Sequence, residues 1–68
     1  MLLYIVLDGA QKAYATRDPM LAYKKAASVY GDYKDTKPES FVATIYCENE
    51  WTVYRLLLRL GCEGIEGG

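Results

Sequence analysis

Apolar positions along the chain follow two rhythms. Leu2–Leu7 reads LLYIVL, β-branched and aromatic, with both alternate faces apolar. A strand apolar on both faces reads as central in a sheet. Asp8-Gly9 follows, a strong signal for a tight hairpin turn. Ala10–Thr16 (AQKAYAT) then reads as the returning strand. Lys12 and Tyr14 lie on one of its sides, and Gln11, Ala13 and Ala15 on the other. Phe41–Cys47 (FVATIYC) reads as a third strand.

Two stretches carry the helical rhythm. Asp18-Pro19 pairs an acidic N-cap with proline at the first helical position. The spacing predicts a helix from Pro19 to Tyr30, with Met20, Tyr23, Ala26, Ala27 and Tyr30 on its core face. Lys24, Lys25 and Ser28 are expected to face water, and Gly31 to end the helix. Gly31–Ser40 is polar, turn-rich and broken by Pro38, so it reads as a loop. Asn49 caps a second predicted helix, Glu50–Leu60, which stops at Gly61.

The order β-β-α-β-α predicts an α+β fold, a two-layer sandwich of a three-stranded sheet with both helices on one face. A third strand parallel to its neighbour would require a right-handed crossover. The other sheet face is then expected to be partly open, with Leu3, Ile5 and Tyr14 beside Lys12.

The second helix changes the picture most. At about 100° per residue, Val53, Leu56, Leu57 and Leu60 form one stripe. Trp51, Tyr54 and Leu58 form a second stripe on roughly the opposite side, flanked by Thr52, Arg55 and Arg59. A helix apolar on two sides is either deeply buried or covers a partner. The chain has 68 residues, which gives one domain with a glycine-rich tail at 61–68. So short a chain has little material to bury both stripes. Trp and Tyr beside Arg is also the composition of interface anchors. The expected protein-binding residues are therefore Trp51, Tyr54, Leu58, Arg55 and Arg59, with Tyr33 in the loop. Within the chain, Ile65 of the tail or Tyr33 are the candidates to cover the stripe instead. A homodimer seam is the third use the stripe could have.

Charge narrows the classes. Eight bases against nine acids, with no His, give a net charge of −1. That balance argues against a general nucleic-acid binder. The alternative surface for nucleic acid is a small basic patch, Lys12, Arg17, Lys24 and Lys25, with Tyr14 to stack a base. No apolar run approaches the roughly 20 residues of a membrane span. Met1–Leu7 has no basic segment before it, unlike a signal peptide. These observations favour the cytoplasm.

Catalytic chemistry has little to stand on. The chain has no His and no glycine-rich phosphate loop. Glu48 and Glu50 flank a helix start, where carboxylates serve the helix dipole. Cys47 near that start has no base beside it in the sequence. Cys47 and Cys62 are separated by a helix about 16 Å long, too far for a disulfide unless the tail folds back. Two free thiols are expected, with no metal site, no cofactor and no enzymatic activity.

The segment LYIVLDGAQKAYATRDPMLAYKKAASVYG, a minimal hairpin followed by a short capped helix, resembles small accessory proteins encoded by phages, including anti-CRISPR proteins. It covers about half the chain. The resemblance implies a stoichiometric inhibitor that covers the working surface of a host protein complex. Glu39-Ser40-Phe41-Val42 is also similar to the Glu-Ser-Ile strand entry of a uracil-DNA glycosylase inhibitor, with Phe in place of Ile. Neither resemblance assigns a role to a particular residue here.

Overall fold

Three antiparallel strands form the sheet, with Leu2–Leu7 between Ala13–Thr16 and Val42–Tyr46. The computed structural model describes residues 1–7, 12–31, 37–62 and 64–67. The elements are β1 (Leu2–Leu7), β2 (Ala13–Thr16), α1 (Pro19–Tyr30), β3 (Val42–Tyr46) and α2 (Glu50–Leu60). A short 3-10 turn, Pro38–Phe41, leads into β3. The class is α+β, and the element order is the one the sequence patterns predict. The Asp8-Gly9 turn and the first residues of the predicted returning strand lie outside the described residues.

β1 is the central strand. It pairs with β2 through Tyr4↔Thr16, Ile5↔Ala15, Val6↔Tyr14 and Leu7↔Ala13. On its other side it pairs with β3 from Leu2↔Tyr46 to Val6↔Val42. Both neighbours oppose β1, so β2 and β3 run in the same direction with β1 between them. No parallel neighbours arise in the sheet itself. One isolated parallel bridge, Thr16↔Glu66, brings the tail onto the outer edge of β2.

The expectation that both helices share one face does not hold. Alternation along β1 sends Leu3 and Ile5 to one face and Tyr4 and Val6 to the other. Leu3, Ile5, Ala15, Cys47 and Val53 form one buried cluster, completed by Ile45, Leu56, Leu57, Leu60, Cys62 and Ile65. Val6, Ala22 and Ala26 form the other, with Tyr4, Tyr14, Tyr30 and Val42 against them. Thus α2 covers one face and α1 the opposite face. The two apolar faces of β1 are both used. The expected open group is also corrected: Leu3 and Ile5 are buried beneath α2, while Tyr14 is half-buried on the α1 side.

The helix ends follow local chemistry. Asp18 Oδ1 accepts the Met20 N–H at 2.9 Å, and Pro19 occupies the first position. Asn49 Oδ1 accepts the Thr52 N–H at 2.9 Å and its hydroxyl at 3.1 Å. At the far end of α2, Gly61 adopts φ 73°, a left-handed conformation. The Gly61 N–H reaches the Leu58 carbonyl at 3.3 Å and the Cys62 N–H reaches that of Leu57 at 2.9 Å. These bonds define a Schellman ending, which favours glycine. Gly31 ends α1 differently, with φ −63° in the right-handed region. A Cβ there would collide with the Ala27 carbonyl, so close approach rather than handedness selects glycine.

The core face of α1 also differs from the predicted one. Ala22 and Ala26 are the buried residues, while Met20, Tyr23 and Ala27 are exposed. Tyr30 does pack inward. Its ring stacks on Phe41 at 4.0 Å and its hydroxyl donates to the Leu7 carbonyl. The buried Thr16 hydroxyl accepts the Asp18 N–H at 3.1 Å, so this polar atom is satisfied.

Candidate interaction surface on the second helix

The geometry of α2 separates its two stripes cleanly. Val53 is buried and Leu56, Leu57 and Leu60 pack around it against the sheet. That contact fixes the helix about its axis. Trp51, Tyr54 and Leu58 are left outward, 64%, 54% and 62% exposed. The Trp51 and Tyr54 rings stack on each other at 5.9 Å, inclined by 26°. Three large apolar side chains thus form a continuous exposed strip.

Two cations border it. Arg55 and Arg59 are exposed and have no ion-pair partner among the described residues. With Thr52 and Leu56 they line a shallow depression of about 280 Å³. The spacing of four places both guanidinium groups on one helix flank. A planar guanidinium without a carboxylate partner is suited to a bidentate contact with one supplied from outside.

Ile65 does not cover this strip. It joins the cluster of Leu56, Leu57 and Leu60 on the sheet side of α2. Tyr33, the other candidate cover and the sixth expected binding residue, lies outside the described residues. The tail runs back along β2 instead, where the Glu66 N–H donates to the Ala15 carbonyl at 2.8 Å. On the way, the Cys62 thiol donates to the Ala13 carbonyl at 3.2 Å. Burial pushes the Cys62 thiol above its ordinary pKa. Cys47 and Cys62 are both free thiols, and Cys47 is buried.

The basic residues do not form one open platform. Lys25 Nζ stands 5.5 Å from the centroid of the Tyr14 ring, a cation–π contact within the chain. One face of that ring is therefore already occupied. Arg17 and Lys24 are exposed near the start of α1, whereas Lys12 precedes β2 at the strand's other end. Lys12 lines a separate depression of about 230 Å³ with Ala13, Gly61, Cys62 and Glu66.

Several further apolar side chains are exposed that the sequence pattern does not mark as surface. Leu2 and Tyr46 are cross-strand partners, and Tyr46 is 68% exposed. Met20 and Tyr23 are exposed on α1. The signal that could have found them is composition, since an alanine-rich helix covers less of a sheet than a leucine-rich one. Among the described residues no group of three or more Cys, Asp, Glu or His is placed to hold a metal ion. No described helix is long and apolar enough to cross a membrane.

No protein-family model, curated protein or solved structure matches the chain.

Proposed function

We propose that this chain is a non-enzymatic protein-binding module that acts through the outer face of α2. The observation that carries the reading is the exposed strip Trp51–Tyr54–Leu58 on a helix already anchored by its other side. Large aromatic side chains that lose water on docking dominate the binding energy of interfaces. Arg55 and Arg59 give the partner its chemistry: an apolar cleft rimmed by carboxylates. A stoichiometric inhibitor of a host complex, as the phage accessory proteins suggest, is the specific form of this reading. The two free thiols agree with a reducing compartment such as the cytoplasm.

The test is capture of partners by the tagged chain from bacterial lysate, with and without nuclease, beside Trp51→Ala/Leu58→Asp and Arg55→Glu/Arg59→Glu variants. The reading expects one stoichiometric protein with the wild type and loss of it with either pair, while all three chains melt cooperatively. A captured protein indifferent to both pairs would reject the α2 surface. Enrichment that vanishes with nuclease would point to the Lys12, Arg17, Lys24 and Lys25 surface.

A further inference from the structure

The two outer edges of the sheet are finished differently. Hydrogen-bond parity shows how. Met1 and Cys47 exchange both backbone bonds, the Cys47 N–H to Met1 O at 2.8 Å and the Met1 amino group to Cys47 O at 3.0 Å. In an antiparallel pair such doubly bonded partners alternate with partners that make no bond to each other. With the register from Leu2↔Tyr46 to Val6↔Val42, Ile45 and Ala43 therefore bond to β1. Val42, Thr44 and Tyr46 turn their N–H and carbonyl groups outward. The same alternation carried across β1 turns the Ala13 and Ala15 carbonyls of β2 outward. Those carbonyls are the ones met by the Cys62 thiol and the Glu66 N–H, which bears out the parity.

The β2 edge is thus dressed by the tail. On the β3 edge, the Val42 N–H is satisfied by the Glu39 carbonyl of the preceding turn. No described strand or tail segment pairs with the remaining outward groups of Thr44 and Tyr46 or with the Val42 carbonyl. The strand reads VATIY, without the Lys, Pro or inward charge that usually protects an edge. Its nearest acids, Glu39 and Glu48, lie beyond its ends.

We propose that β3 is a pairing edge and that its occupant is β3 of a second copy, joining two sheets into one antiparallel sheet about a twofold axis at Thr44. The strand is self-complementary in that register. Each Thr44 N–H donates to the opposite Thr44 carbonyl, and each Tyr46 N–H to the opposite Val42 carbonyl. The Val42 N–H, already used, is not required. Side chains match as well: Thr44 faces Thr44, and exposed Tyr46 faces Val42, an aromatic–β-branched pair. No like charges meet within the strand. The pairing leaves the α2 strip free, so it is independent of the proposed partner surface.

Sedimentation velocity from about 10 µM to about 1 mM tests it. The wild type is expected to move from monomer toward dimer over that range. Thr44→Lys places two ammonium groups opposite each other at the axis and should weaken dimerisation at least about tenfold. Thr44→Pro removes the outward N–H without removing a bond to β1, and should do the same with its far-UV spectrum kept. Leu58→Asp should leave the dimer intact. A wild type that stays monomeric up to about 1 mM overturns the proposal. So does a dimer that survives both Thr44 variants, or one that only Leu58→Asp dissolves.

Discussion

The two helices solve one problem in opposite ways. α1 meets the sheet through Ala22 and Ala26, both fully buried. Residues this small let the helix backbone come close, and larger side chains such as Tyr30 and Lys25 reach the rim, where they meet Phe41 and Tyr14. α2 meets the other face through Val53 and three leucines. Its long side chains fill the space, and an apolar strip bordered by Arg55 and Arg59 is left on its outer side. α1 is therefore a fitted cover whose tolerance is set by volume. α2 is a filled contact on one side and an unoccupied apolar strip on the other. The difference leaves Trp51, Tyr54 and Leu58 exposed side by side on the outer face of α2.

The strongest way to break this comparison is to place one charge on each side of α2. Val53→Asp buries a carboxylate among Leu3, Ile5 and Cys47, where nothing pairs with it. It is expected to cost about 3–5 kcal/mol, most of the stability a domain this small possesses. Leu58→Asp makes the same chemical change at a site 62% exposed, and should stay within about 0.5 kcal/mol of wild type. Urea denaturation of both variants gives the answer. Equal losses would mean that Leu58 belongs to the core.

This contrast also marks what was legible in the sequence. The two stripes of α2 stand out because leucine and arginine differ sharply in hydrophobicity, so the period of the helix is loud. The caps Asp18 and Asn49 and the stop at Gly61 are local chemistry and could be read directly. α1 was harder, since alanine carries little hydrophobic contrast. Weighting Met20 and Tyr23 over Ala22 rotated its apparent core face, because bulk is the wrong criterion where a helix lies close to a sheet. Which face each helix covers is a long-range fact that no window along the chain contains. The doubly apolar pattern of Leu2–Leu7 held the hint, since a strand buried on both faces needs cover on both. The outward-facing edge of β3 was invisible for a similar reason: the outward groups of Thr44 and Tyr46 follow only from the register with β1.

Volume gives the next sharpest test. Ala26 and Ala27 are adjacent, and both sat on the face the periodicity predicted as core. Only Ala26 is buried. Ala26→Leu forces extra methylene groups between α1 and Val6, and is expected to destabilise by about 1–3 kcal/mol. Ala27→Leu points to solvent and should change stability by no more than about 0.5 kcal/mol. Thermal melts of the pair decide the orientation of α1. The reverse ranking would restore the Met20–Tyr23–Ala27 face as the core face.

The smallest effect tests how well the α2 layer is sealed where it meets the tail. Cys62 donates to the Ala13 carbonyl and sits in the α2 cluster. Burial raises its pKa above the ordinary 9.0, so the folded chain holds the proton longer than the unfolded chain does. The sign follows from linkage. Below the unfolded-state pKa both states keep the proton, and the contribution of Cys62 is complete. As pH rises through that value, the unfolded chain loses its proton first, and stability falls until the folded thiol also ionises. Tyrosine and lysine titrate in the same alkaline range, so the informative quantity is a difference. The melting temperature of the wild type minus that of Cys62→Ala should be constant from about pH 6 to about pH 8 and should shrink above it. A difference that stays level through the alkaline range would mean that the thiol is equally solvated in both states. The junction of α2 and the tail would then be open to water, and the seal between Cys62 and β2 would be no tighter than the exposed strip on the other side of the helix.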